Sequence, residues 1–312
     1  MSVDPVVSFF LLGLVGGLLK SELELPRPFL EALTIFLLIA LGLKGGVALS
    51  RGDPIALAVP ALTLIIGALA LCAAAFLILW RVGGLRRIDA AATAAHYGSV
   101  SVITFVVAQT YLGQAGIAFS GEMTFFLAVL EVPALVLAAA LGQREEATPG
   151  SYWEFTRELI FGKSVLLLIG GMAIGAAVGE AGVAPLAPLF FDLFKGVVCF
   201  LLLELGVSTA RQLPELRRSG AFLAAFGVLF PLAASLLGAL LGRLLGFSLG
   251  DQVLTAVLFA SASYIAAPSA MRVALPHANL GLAIAPVLAV TFPFNVVIGI
   301  PLYVALVERL NG

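Results

Sequence analysis

Apolar stretches, each close to the length that crosses a bilayer, recur from one end of this chain to the other, and nothing else in it restricts the fold as much. A hydrocarbon core about 30 Å thick takes roughly 20 helical residues. Stretches near that length fall at 5 to 20, 29 to 50, 54 to 80, 89 to 112, 121 to 142, 164 to 180, 189 to 211, 219 to 245, 251 to 275 and 281 to 307. Lipid offers a backbone amide no partner, so each stretch must close its own hydrogen bonds as a helix. The expected fold is therefore an all-α polytopic membrane protein with about ten transmembrane helices. A soluble globular domain is excluded by 61% hydrophobic and only 11% charged residues.

A net charge of -1 gives no basic field to hold nucleic acid. Cys72 and Cys199 stand alone inside apolar runs with no Cys-x-x-Cys spacing, which makes them small packing residues rather than a metal or redox pair. The opening "MSVDPVVSFFLLGLVGG" has no basic leader and no clear small-x-small cleavage site, so it reads as a retained span.

Cytoplasmic loops keep the excess of Lys and Arg. Alternate loops hold twelve of these residues: Lys20 and Arg27; Arg81, Arg86 and Arg87; Arg144, Arg157 and Lys163; Arg211, Arg217 and Arg218; and Arg272. Opposite loops and termini hold Arg51, Lys195, Arg243 and Arg309. Both termini are thus expected outside and the central linker in the cytoplasm, within the cytoplasmic (inner) membrane.

Set against itself at a shift of about 160 residues, the chain matches in several places. Pro26 and Pro28 answer Pro185 and Pro188, "ALGLKGG" (Ala40 to Gly46) answers "ELGVSTA" (Glu204 to Ala210), and the gap from Arg81 to Asp89 recurs from Arg243 to Asp251. "GSVS" (Gly98 to Ser101) falls on "ASAS" (Ala260 to Ser263), and "LAVLEVP" (Leu127 to Pro133) on "LAVTFPF" (Leu288 to Phe294) with one residue of slippage. The reading is a first repeat over 1–142, a linker over 143–163 and a second repeat over 164–312. Five spans are an odd number, so the second copy enters from the opposite face and the repeats are inverted, as in many transporters.

Within the fourth span, "AAHYGSVSVITF" brings polar and small residues to a place about ten residues past Asp89, roughly 15 Å at helical rise and half the bilayer core. In the ninth, "FASASYIAAPSAMR" does the same and adds Pro268, which removes a backbone donor and obstructs the turn before it. Both helices are expected to break near the midplane. Unwound backbone survives at that depth only around a protein-lined polar site, where half-helix N-termini suit an anion and freed carbonyls a cation. The candidate solute residues are Gly98, Ser99, Ser101, Ala260, Ser261, Ala262, Ser263 and Tyr264. Helix packing by small residues is the competing reading. His96 reads either as a titrating neighbour of the break or as a hydrogen-bonded structural histidine, and the Tyr97 and Tyr264 hydroxyls as cavity wall.

Glu131, in "LEVPAL", lies near the middle of the fifth span, where an ionisable side chain is costly and by default functional. With Ser101, Thr104, Thr291 and Asn295 it offers the oxygen ligands that a hard cation such as sodium takes. A proton carrier and a protonated helix-to-helix hydrogen bond are the other readings of this acid. Lys44 and Glu204, in the second and seventh spans, either pair or lie near an interface, and no transport role is assigned to them.

The strings "AHYGSVSVITF", "LEVPA", "GLKGG" and "FNVVIGIP" together resemble the sodium-dependent bicarbonate transporter family first known from cyanobacteria, over essentially the whole chain. The resemblance implies two inverted five-helix halves, core and gate domains, a homotrimer, and uptake of bicarbonate with sodium as coupling ion and no organic cofactor. It carries bicarbonate to Gly98, Ser99, Ser101, Ser261 and Ser263, and sodium to Glu131 and Asn295. It also implies a cytosolic PII-like regulator, although the linker "GQREEATPGSYWEFTRELIFGK", with Trp153, reads first as an amphipathic interfacial segment without a docking motif.

The expected function is therefore sodium-coupled bicarbonate uptake by alternating access. The alternatives are a sodium- or proton-coupled carrier of another small anion on the same architecture, a channel, and an intramembrane serine hydrolase using Ser99 or Ser101 with His96 or His277. The hydrolase lacks an evident oxyanion loop or third orienting group.

Overall fold

The structure is a computed structural model and describes residues 5–52, 56–143, 157 and 161–312. The linker sequence around Trp153 and the first two residues of the expected third span lie outside the described residues. Among the described residues every regular element is helical, and seven helices are long and apolar enough to cross a membrane.

The chain opens with α1 (Pro5–Leu18), α2 (Arg27–Arg51) and α3 (Ala58–Leu77), the last running into a π turn, Ile78–Val82. The span Arg87–Gln114 is two helices, α4 (Arg87–Gly98) and α5 (Val102–Gln114), and the next is α6 (Met123–Leu130) followed by α7 (Pro133–Gly142). After the linker come α8 (Lys163–Val183), α9 (Phe194–Ser219) and α10 (Ala221–Leu244). Another divided span consists of α11 (Leu249–Ala260) and α12 (Ala266–Ala274). Span Leu280–Asn311 starts as α13 (Leu280–Pro286) and ends as α15 (Ile300–Asn311). Between them lie π turns at Val287–Thr291 and Asn295–Gly299, which flank the short α14 (Phe292–Phe294).

Two helix pairs cross on glycine. Along α2 and α8, a Cβ on Gly46 would strike the Met172 carbonyl and one on Gly175 the Leu43 carbonyl. Along α1 and α9, Gly13 lies against the Leu203 carbonyl and Gly206 against that of Phe10. In lipid, where burial of apolar surface drives helices together weakly, such backbone-to-backbone contact holds the pairs. α3 lies along α4 and α10 along α11.

The first turns of α4 and α11 are fastened in the same way. Asp89 accepts from the backbone N–H of Asn279 at 2.8 Å and pairs with Arg86 at 2.6 Å. Asp251 accepts from the backbone N–H of Ser120 at 2.7 Å and from Ser248 Oγ at 2.7 Å. Each carboxylate meets orphan amides at a helix N-terminus, where negative charge is favoured, and each ties its half-helix to a loop from the other end of the chain. Thr93 and Thr255 then donate to the carbonyls of Asp89 and Asp251, both at 2.8 Å.

The expected spans correspond to helices whose ends lie a few residues away, with one larger departure. The seventh runs to Ser219 rather than 211, because Arg211, Glu215, Arg217 and Arg218 sit on exposed or half-exposed final turns. Lys44 and Glu204 do not pair. Lys44 Nζ lies over the rings of Phe191 and Phe194, 5.4 and 5.5 Å from their centroids, while Glu204 accepts from the backbone N–H of Leu25 at 3.2 Å.

Candidate functional site

Both expected breaks are present. α4 stops at Gly98, Ser99 and Ser101 are extended, and α5 starts at Val102. Ser101 caps α5: its Oγ accepts from the N–H of Thr104 at 3.2 Å and from Thr104 Oγ1 at 2.9 Å. In the other divided span, Ser261 to Ser263 are non-helical and α12 begins at Ala266. Pro268 lies in the first turn of α12, so the carbonyl that its ring would obstruct belongs to Tyr264, inside the break. That is the physical reason why the helix cannot run through.

The two breaks hold each other. The N–H of Ser101 donates to Ser261 Oγ at 2.9 Å, the N–H of Ser263 donates to the His96 carbonyl at 2.9 Å, and His96 Nδ1 lies 2.5 Å from the Ser263 carbonyl. A carbonyl accepts only, so Nδ1 carries the proton, and Nε2 is buried and, among the described residues, without a partner. Ser99 and His96 are not paired with each other: His96 Nδ1 is engaged by a carbonyl, and Ser99 Oγ donates to the Glu131 carbonyl at 2.8 Å.

A third interruption was not foreseen. α6 ends at Leu130, and Glu131 and Val132 form a turn before Pro133 restarts the helix. Proline cannot donate to the carbonyl four residues back. The ladder slips here, with the N–H of Leu135 going to the carbonyl of Val132. The freed Glu131 carbonyl is the one that receives Ser99. The "EVP" string carries the signal, since the residue before a proline is biased away from helix.

Glu131 is only 4% exposed, and among the described residues its Oε2 has no hydrogen-bond partner. It faces a void of about 20 Å³ that is also lined by Ser101, Ser263, Tyr264, Thr34 and Ser164. The opening residues of two helices, Val102 and Ile103 of α5 and Ala266 of α12, line the same void. Ser101 Oγ takes the N–H of Thr104 and Ser263 Oγ that of Ala267, and Pro268 has none, so Val102, Ile103 and Ala266 supply the open N–H groups, with about half a positive charge at each N-terminus. Together they offset roughly one anionic charge beside a carboxyl group that suits a cation. The Tyr264 hydroxyl lies beside the Ser101 side chain without completing a hydrogen bond.

Glu131, Thr34, Leu38, Ser164, Ile265 and Ala266 are shared with a larger cavity of about 460 Å³. α2 and α8 form one wall and α7 and α12 the other, and the cavity extends to the exposed Lys163–Glu31 ion pair, 3.2 Å long, at the linker end.

Of the solute candidates, Ser101, Ser263 and Tyr264 line the void. The others frame the crossing. A Cβ on Gly98 would stand 2.5 Å from Cys72 Cβ and 2.8 Å from Ala134 Cβ, so that glycine permits close packing. Ser99 and Ser261 spend their hydroxyl protons on the carbonyls of Glu131 and Leu258. The Ala260 carbonyl accepts from Asn295 Nδ2 at 2.9 Å, and Ala262 is buried.

The five cation candidates divide. Ser101 and Glu131 share the void, with Thr104 one hydrogen bond behind Ser101. Thr291 and Asn295 do not line it. Thr291 Oγ1 donates to the Gly227 carbonyl at 2.7 Å and is 2.9 Å from the Tyr97 hydroxyl, which must then donate to it. Asn295 also uses both ends of its amide, since Tyr303 donates to its Oδ1 at 2.6 Å. Thr34 and Ser164 were missed by sequence reasoning because hydroxyls on apolar helices read as packing.

A family model described as the Na+-dependent bicarbonate transporter superfamily matches residues 5–308. The chain belongs to that superfamily. This member of the Na+-dependent bicarbonate transporter superfamily is thus an integral membrane transporter, not an enzyme. A comparison with curated proteins finds no match.

Proposed function

We propose that the protein is a secondary carrier that takes up bicarbonate together with sodium across the cytoplasmic membrane by alternating access. The observation that carries this reading is the convergence on one void of two half-helix N-termini and the unpartnered carboxyl oxygen of Glu131. Bicarbonate takes the N-termini of α5 and α12 with Ser101, Ser263 and Tyr264. Sodium takes Glu131 and Ser101, whose Oγ accepts from both the N–H and the Oγ1 of Thr104 and ligates the ion in exchange for the Thr104 Oγ1 bond. An anion and a cation bound side by side enter a low-dielectric site at far lower cost than either alone.

A void of about 20 Å³ admits one water-sized particle. Two solutes therefore also need the adjoining larger cavity, with which the void shares Glu131, Thr34 and Ser164. Under the charge bias of the loops the cavity faces the cytoplasm and both termini lie outside.

Two inverted repeats, 1–142 and 164–312, joined by the linker 143–163, belong to the same proposal. They are supported by the contacts at Asp89 and Asp251, at Thr93 and Thr255, and by the two glycine crossings, which interchange when the halves are exchanged. α1, α2, α8 and α9 then form the gate and the remaining helices the core, in a homotrimer open to a PII-like regulator.

Labelled bicarbonate uptake into vesicles tests the coupling: it should collapse without a sodium gradient, and uptake indifferent to sodium refutes it. Competition by unlabelled anions separates bicarbonate from other small anions, because helix dipoles and hydroxyls alone suit several.

A further inference from the structure

We infer that Thr34 on α2 and Ser164 on α8 complete the cation site from the opposite wall, so that sodium bridges the two packed bodies on either side of the cavity. The inference rests on the reading of Glu131 as a sodium ligand and adds the part that sequence left out. Both residues line the small void with Glu131 and Ser101, and both also line the larger cavity, so they stand where the two meet. Thr34 Oγ1 gives its proton to the Leu30 carbonyl at 2.8 Å, which leaves its lone pairs available. Ser164 Oγ makes no hydrogen bond within the described residues. Two hydroxyl oxygens with lone pairs available, beside a buried carboxyl oxygen, are hard ligands of the kind sodium takes, and the carboxyl oxygen repels an anion.

A consequence follows for the carrier cycle. Glu131 sits in the turn between α6 and α7 and Ser101 in the break between α4 and α5, whereas Thr34 and Ser164 sit on the glycine-crossed pair α2 and α8. If those bodies slide past each other, the full oxygen set exists only in the conformation open to the linker side. The cation then binds more tightly from that side than from the other.

The test uses the full chain in oriented vesicles, with Thr34→Val, which keeps the side-chain volume, and Ser164→Ala, singly and together. The double variant should raise the apparent sodium constant measured from the linker side about tenfold, with no change from the opposite side and no change in bicarbonate affinity at saturating sodium. Thr34→Ser should behave as the wild type. An unchanged sodium constant, or an equal rise on both sides, overturns the inference. Failure of the underlying reading is distinguishable, because Glu131→Gln would then also keep the wild-type sodium constant, whereas failure of the inference alone leaves Glu131→Gln impaired and the double variant unaffected.

Discussion

Glu131 and Asn295 each stand in the span that follows a divided one, each touches a helix break, and each is buried, 4% and 1% exposed. They differ in what they leave free. Asn295 is engaged at both ends, its Nδ2 on the Ala260 carbonyl and its Oδ1 on Tyr303. Glu131 receives Ser99 on its backbone carbonyl and keeps one carboxyl oxygen with no partner. A buried polar atom without a partner costs about 1–3 kcal/mol, and such a cost is offset when a ligand arrives. Two similar positions thus differ: one fixes the crossing, and under the proposed function the other takes the ion.

Removing the carboxylate should give the largest effect. Glu131→Ala should cut sodium-driven uptake about 100-fold or more, equivalent to roughly 2.7 kcal/mol. Glu131→Gln, which keeps the shape, should raise the apparent sodium constant about tenfold in initial-rate measurements over a sodium series. A wild-type sodium constant in Glu131→Gln would erase the distinction between the two residues. Asn295→Ala should act on stability instead. It leaves the Ala260 carbonyl and the Tyr303 hydroxyl unpaired, a loss of about 1–2 kcal/mol allowing for the weak net worth of hydrogen bonds in membranes. Thermal unfolding in detergent should show it, while the sodium constant of the folded fraction stays put. A rise in that constant would mean that Asn295 also faces the ion.

Much of this contrast was legible in the sequence, and the remainder was not, for identifiable reasons. Apolar run length gave the spans because backbone satisfaction in lipid leaves helices no alternative. The breaks were readable from "GSVS" and "ASAS", where small and hydroxyl residues replace Leu and Val at helical depth. Glu131 was readable because charge at that depth is costly. Asn295 and Thr291 were readable as polar but not as occupied, since their partners Tyr303, Ala260, Tyr97 and Gly227 come from elsewhere in the fold. Thr34 and Ser164 left no signal, because only the approach of α2 and α8 to the break distinguishes them from any hydroxyl on an apolar helix.

The link between Ser99 and Glu131 allows a smaller test. Ser99→Ala removes the 2.8 Å bond that steadies the turn carrying the acid. It should cost about 0.5–1 kcal/mol of stability and raise the sodium constant two- to threefold on the scale where 1.4 kcal/mol is tenfold. The same shift without any loss of stability would place Ser99 on the ion rather than behind it.

The smallest effect belongs to an acid outside the membrane. Glu24 lies in the loop between α1 and α2, its side chain 59% exposed and 3.1 Å from Arg211. The hydrogen bond from Arg211, reinforced by its charge, holds the Glu24 carboxyl below its ordinary value of 4.5. A depressed value means that the pair contributes above the ordinary carboxylate range and is lost as the pH falls through the lowered one. At neutral pH Glu24 is therefore ionised and already solvated, and exposed pairs of this kind contribute little. Glu24→Gln should leave the rate and sodium constant of uptake unchanged. Any acid-dependent difference from the wild type in thermal unfolding should be confined to pH values below 4.5. The chemistry removed is the same as in Glu131→Gln, and only the surroundings differ: Glu24 is exposed to water that replaces its partner, and Glu131 is buried.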